Sequence, residues 1–156
     1  MSGARTQVGI VEWARRVRGA RDVELALSDT LGGWIPRVQS AAPKLLLARH
    51  ARHFAWHADL WDGLVPVLHD QPTPSPAGPD AGIAEPGLRE TAAALRSATE
   101  ARAVYDDVLP DLVATYRSWS GDATPIAERP VMRILDLVLR DIDFDAQEGH
   151  DLFSRG

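Results

Sequence analysis

Between Leu46 and Leu64 the sequence sets Leu46, His50, His53, His57, Leu60 and Leu64 in alternating steps of four and three, the spacing that lines side chains along one face of an α-helix. Leucines on such a face enter a core at no polar cost, but an imidazole must find a hydrogen-bond partner once water is removed. The three histidines therefore restrict the whole chain. Whatever packs against this helix has to bring carboxylates, backbone groups or a metal ion, or leave the face open to a ligand.

The other segments read as helices too. Runs of alternating β-branched residues are scarce, whereas Ala, Leu, Arg and Asp recur at helical spacing. The expected fold class is all-α, an antiparallel four-helix bundle with a long crossover between its second and third helices. The first helix is expected from about Gln7 to Trp34, with a weak point at Gly19 and an inward face of Trp13, Val17, Ala20, Glu24, Leu27, Leu31 and Trp34. The second begins near Pro43, a residue suited to a first turn, and runs to about His69. Residues 70–87, DQPTPSPAGPDAGIAEPG, lack apolar periodicity and read as an extended connector able to cross the length of a bundle. The third helix is expected over about Leu88 to Trp119, kinked at Pro110, with Leu88, Leu95, Ala98, Leu109, Val113 and Tyr116 inward. The fourth starts near Pro130 and turns Val131, Ile134, Leu135, Val138, Ile142, Leu152 and Phe153 inward.

At 156 residues the chain fits one domain, 1–156, long enough to bury roughly two thirds of its unfolded surface. A net charge of -5 argues against sequence-independent nucleic-acid binding, which relies on a basic surface to release counterions. The local group Arg15, Arg16, Arg18 and Arg21 reads as a solvated helix face. The absence of cysteine removes disulfides, thiolate metal sites, iron–sulfur clusters and thiol nucleophiles, so a metal here would take His, Asp, Glu or water. With no apolar run of about 18 residues and no apolar leader-like segment, no membrane partner is expected and the cytoplasm is the default location. Neither a nucleophilic-serine elbow, a Gly-rich phosphate loop nor a dinucleotide fingerprint occurs.

Helical phase and depth pick out the groups that would meet the histidines. A rotation of about 100° per residue places Arg102 and Asp106 in the arc of Leu95, Leu109 and Val113, and Asp141 and Asp145 in the arc of Val138, Ile142 and Gly149, with His150 on the flank. In antiparallel neighbours, residues equally far from a connecting turn share a height. Glu24 is then level with His53, and Asp106 with Asp145 to within about one turn. The expected cluster is Glu24, His50, His53, Asp106 and Asp145, with His57, Asp141 and His150 as secondary members.

This layout resembles the ferritin-like superfamily, in whose di-iron members two helices each supply one Glu and the other two each supply Glu-x-x-His. The segment LARHARHFAWHADLW resembles the Glu-x-x-His helix, with His53 at the His position and His50 where Glu is expected. Glu24 suits the lone Glu of the first helix, and EARAVYDDVLP offers Glu100 by pattern and Asp106 by phase. RDIDFDAQEGHDLF resembles the run Arg-Asp-Glu-x-x-His-x-x-x-Gly with Ile142 in place of Glu and Asp145 in place of His; the alternative register puts Gln147 and His150 at those places. The resemblance implies a ferritin-like bundle and a non-haem metal-binding oxidoreductase. The replaced glutamates leave open a non-catalytic bundle that has lost the di-iron centre and serves binding or assembly.

Neutral imidazole mixed with carboxylate favours a divalent transition metal, iron, manganese or zinc, over calcium or magnesium. Two histidines and one carboxylate, such as His53, His57 and Asp106, would make a mononuclear site with open positions for oxygen or hydrolytic chemistry. Without metal, the same groups would form a buried network in which Arg102 pairs Asp106 or Asp145 and the histidines bond to carboxylates or backbone. Trp56 and Trp61 beside the histidines would line a pocket or cap an apolar edge. The partner class is a small molecule or a protein, and a homodimer through exposed tryptophans fits the composition.

Overall fold

Apolar spacing carries through Gly19 without interruption: helix α1 is continuous from Ile10 to Trp34 in the computed structural model, which describes residues 9–65, 83–123 and 129–155. A 3₁₀ turn over Ile35–Arg37, with Pro36 in it, stops α1, and α2 follows at Ala41–Asp62. Next come α3 (Pro86–Ser97), a single turn α4 (Ala101–Ala103), a π turn (Val104–Val108), α5 (Leu109–Asp122) and α6 (Arg129–Phe153). No strand occurs among the described residues, so the chain is all-α. Residues 7–8 and 66–69 of the expected first and second helices, and 70–82 of the expected connector, lie outside the described residues. No helix among the described residues is long and apolar enough to cross a membrane.

The single third helix expected from Leu88 to Trp119 is divided. Ala98 and Glu100 take extended backbone angles that end α3 and start a new helical segment. A Cβ on Gly87 would collide with the Thr115 side chain, although in one straight helix these residues would stand roughly 40 Å apart at 1.5 Å per residue. So α3 folds back along α5. The expected kink at Pro110 takes the form of the π turn just before it. Proline has no N–H for the carbonyl four residues earlier and its ring presses on that carbonyl; here the preceding N–H, of Leu109, reaches back five residues to Val104.

Side-chain pairs give the direction of each neighbour. Arg21 meets Asp62 and Glu24 meets His57, so α1 and α2 are antiparallel. Arg49 meets Glu148 and His57 meets Asp141 across α2 and α6; Asp106 meets His150 and Arg117 meets Asp143 between the α4–α5 segment and α6. Both of these pairs are antiparallel as well, which leaves α2 and α5 running the same way. Trp61 near the end of α2 touches Tyr116, and Thr115 touches Gly87 at the start of α3. The chain thus leaves α2 and enters α3 at the same end of the molecule. The return along the molecule, expected of the Pro-rich connector, is made by α3.

The core closes around Leu27, Leu31, Leu47, Phe54, Leu88, Leu109, Leu112, Leu135, Val138 and Ile142, all without solvent exposure. Trp13, Trp61, Tyr116 and Trp119 form an aromatic group with ring centroids 5.1–6.2 Å apart. The buried face of α2 is rotated from the expected stripe: Leu47, His50, Phe54, His57 and Trp61 form its centre, while His53 and Leu60 sit at its edge. Two of the three histidines are therefore fully buried.

Candidate metal centre

Among the described residues, the buried acids and histidines separate into two clusters, one on each side of Phe54 along α2. In the first, Glu24 of α1 is completely enclosed and accepts from three donors. Trp61 Nε1 and Tyr116 Oη donate to its Oε1 at 2.8 and 2.6 Å, and His57 Nδ1 lies 2.8 Å from its Oε2. The other ring nitrogen of His57 lies 3.2 Å from Asp141 Oδ2. Burial pulls the His57 pKa down, but the Glu24 hydrogen bond and charge, helped by Asp141, outweigh it and leave the imidazole above its ordinary value. Burial, reinforced by Glu24, pushes the Tyr116 phenol well above its usual range, so it stays a donor. In this cluster both oxygens of Glu24 already have hydrogen-bond partners, Oε1 two and Oε2 one.

The second cluster is not saturated. His50, fully buried on α2, has Nε2 3.1 Å from Glu148 Oε2 and 3.3 Å from Asp145 Oδ1, both on α6. His53 Nδ1 lies 2.8 Å from Asp145 Oδ2, and the His53 side chain is 34% exposed, so the cluster reaches solvent there. Arg49 forms an ion pair with Glu148 at the rim. Asp145 is enclosed, yet its Oδ1 has no hydrogen-bond partner: the His50 Nε2 it faces at 3.3 Å bonds to Glu148 instead. A buried carboxylate oxygen without a donor costs roughly 1–3 kcal/mol or more, and such groups in native interiors call for an unseen partner. Burial holds the His50 imidazole below its ordinary pKa against the pull of Asp145 and Glu148. Partial burial works against ionisation of Glu148, but His50 and Arg49 keep its carboxyl below its usual value.

One ligand atom each from His50, Asp145 and Glu148 fall within 4.8 Å of one another, which makes them a possible metal-holding group. A neutral imidazole and two ionisable carboxylates are the donor types of first-row divalent metals. No protein-family model, curated protein or solved structure matches this chain. The site therefore has to be read from its own geometry.

Of the sequence-derived cluster, the structure brings together His50, His53 and Asp145. Glu24 stands apart from them, bound to the secondary member His57, and Asp141 joins that pair. Asp106 does not reach the histidines of α2. It bonds instead to His150 Nδ1 at 2.8 Å and to Arg102 Nε at 3.0 Å, and His150 is 55% exposed, so this is a surface network in which the hydrogen bonds to His150 and Arg102 lower the Asp106 pKa. The expected trio His53, His57 and Asp106 is thus divided among three places. Asp106 was misplaced because the break at Ala98–Glu100 and the π turn each reset helical phase, so counting from Leu95 to Leu109 put it on the wrong face. Glu148 and Tyr105 were missed. The pattern Asp145-x-x-Glu148 was visible as one helix face, but Tyr105 had no signal outside the π turn that presents it.

Proposed function

We propose that this chain is a divergent ferritin-like protein whose second polar cluster, His50, Asp145 and Glu148 with His53 beside them, holds a divalent transition metal of the iron, manganese and zinc class. The observation that carries this reading is the enclosed Asp145 Oδ1 without a donor, facing His50 Nε2 where Glu148 converges. A cation there would give that oxygen the partner it lacks and share the negative charge of the two carboxylates. The ferritin-like part of the reading is supported by helix directions. α1 with α2 and the α4–α5 segment with α6 form antiparallel pairs, α2 and α5 run the same way, and the return between them is made by α3.

In this reading His50 offers Nε2 and Asp145 and Glu148 offer oxygens, while Asp145 Oδ2 orients His53 at the solvent side. A bound metal would supply Lewis acidity or redox chemistry, the basis for an oxidoreductase assignment. His50 and Asp145 are fully enclosed, so the inner half of the cluster is closed to bulk water. His53 and the exposed Trp56 lie on the open side, where a small-molecule substrate would arrive.

A second reading, a non-catalytic bundle for binding or assembly, is favoured by the occupied oxygens of Glu24, the one buried carboxylate among the described residues of α1, which leave it without a free inward carboxylate for a second metal. Elemental analysis of untagged protein loaded with Fe(II), Mn(II) or Zn(II) separates the two. The metal reading expects about one equivalent, lost on Asp145→Asn; metal no higher than trace in the loaded wild-type protein would rule it out.

A further inference from the structure

His50 makes two kinds of contact through its two nitrogens. Nε2 faces only carboxylate oxygens, Glu148 Oε2 and Asp145 Oδ1, whereas Nδ1 lies 2.8 Å from the hydroxyl of Tyr105. Carboxylates accept hydrogen bonds, so without metal the ring hydrogen of neutral His50 belongs on Nε2, and Nδ1 accepts from Tyr105. An imidazole that ligates a metal through Nε2 has no hydrogen there. The neutral ring then carries its single hydrogen on Nδ1, and its partner must accept. A carboxylate on Nδ1 would serve only the second form, and a lysine or arginine only the first. A phenolic hydroxyl serves both, since rotation about its C–O bond turns it from donor to acceptor.

The fold places this hydroxyl with some care. Tyr105 stands in the π turn Val104–Val108, a wider turn than the α-helix on either side. Its ring lies against Gly149 of α6, where any Cβ would collide with it, and stacks on Phe153 with centroids 5.6 Å apart and planes 17° from parallel. Burial, reinforced by Asp145, keeps the phenol protonated. From this arrangement we infer that Tyr105 is a positioning residue that partners both tautomers of His50, allowing Nε2 to pass from its carboxylate hydrogen bond to a metal ion. The inference rests on the metal reading of the same cluster. One proton leaves Nε2 to solvent and one from solvent is taken up at Nδ1, so the neutral ring carries one hydrogen before and after and no oxidant or reductant is involved.

The test is two-bond ¹H–¹⁵N correlation of the full chain labelled in histidine, with and without zinc, the His50 signals being assigned by their loss in His50→Gln. Metal-free protein should show the Nε2–H form of His50 and zinc-loaded protein the Nδ1–H form. Tyr105→Phe should bind zinc about 10–100-fold more weakly while its metal-free His50 keeps the Nε2–H form. If Tyr105→Phe does not fold, the two wild-type spectra decide the matter. A metal-free wild-type His50 already in the Nδ1–H form, or an unchanged zinc affinity in Tyr105→Phe, would overturn the role of Tyr105 alone. Zinc that leaves every His50 signal unmoved would instead overturn the metal reading, and this inference with it.

Discussion

Glu24 and His57 meet in the core, Oε2 to Nδ1 at 2.8 Å, with neither side chain exposed to solvent. The pair ties α1 to α2, and through Tyr116 it ties both to α5. Replacing Glu24 by Ala strands the His57 imidazole, an indole N–H and a phenol in the interior. Breaking a buried pair in this way costs roughly 3–5 kcal/mol, whereas Glu24→Gln keeps an acceptor for Trp61 and Tyr116 and should cost less. Urea unfolding followed by circular dichroism should show a lower midpoint at an unchanged slope. A loss below about 1 kcal/mol for Glu24→Ala would mean that the cluster is not a coupled unit.

The same pair sets an alkaline limit on stability. Because the folded His57 pKa is raised above its ordinary value, the folded state binds the proton more tightly than the unfolded chain. That contribution is complete below about pH 6.5 and is lost as the pH climbs through the raised value, at about 1.4 kcal/mol for each pH unit that separates the folded and unfolded values. His50 acts in the opposite sense: its pKa is lowered, so its penalty grows as the pH falls below about 6.5. Unfolding free energies measured from about pH 5 to pH 9 should fall on both sides of a maximum. His57→Gln should flatten the alkaline limb and leave the acid one; an unchanged alkaline limb would show that His57 is not the proton-binding group.

Metal should stabilise the fold if it binds the native cluster and not the unfolded chain. At a free ion concentration 100 times Kd the gain is about 2.7 kcal/mol, which for a domain of this size corresponds to a rise of about 5–10 °C in Tm. Differential scanning fluorimetry with Zn(II) and Mn(II) should show that rise in the wild-type protein and in Glu24→Gln. Asp145→Asn and His50→Gln should lose it. Equal rises in all four proteins would place the binding elsewhere.

How much of this was legible beforehand depended on whether a helix was continuous. The inward face of α1, from Trp13 through Glu24 to Leu31, was readable because twenty-odd residues keep one rotation without a break. Asp145, Ile142 and Gly149 on α6 were readable for the same reason. The partner of Glu24 was misjudged by one turn, His53 for His57, since height was counted from a connection whose 3₁₀ turn at Ile35–Arg37 has no simple sequence signature. The fold-back of α3 on α5 was hidden because Ala98, Thr99 and Glu100 contain neither Gly nor Pro, and Ala and Glu are good helix formers that tertiary packing overrides. Polar residues could thus be assigned to the interior before they could be assigned to one another.

Glycines give a final test of how these segments fit together. Gly87 lies against Thr115 where α3 folds back on α5, and Gly149 lies against the Tyr105 ring, with no room for a Cβ at either place. Gly32, in the last turn of α1, has nothing within 4 Å of where its Cβ would be. Alanine at Gly87 or Gly149 has to push a packed neighbour aside, at a cost of about 1–3 kcal/mol even after the gain in helix propensity. Alanine at Gly32 meets no neighbour and reduces the freedom of the unfolded chain, so it should stabilise by roughly 0.5–1 kcal/mol. The opposite signs matter more than the sizes, because a helix-propensity effect alone would stabilise all three variants. Thermal melts of the three single substitutions measure this directly. A stabilised Gly87→Ala would contradict the fold-back of α3, and a stabilised Gly149→Ala would contradict the seating of Tyr105 beside His50.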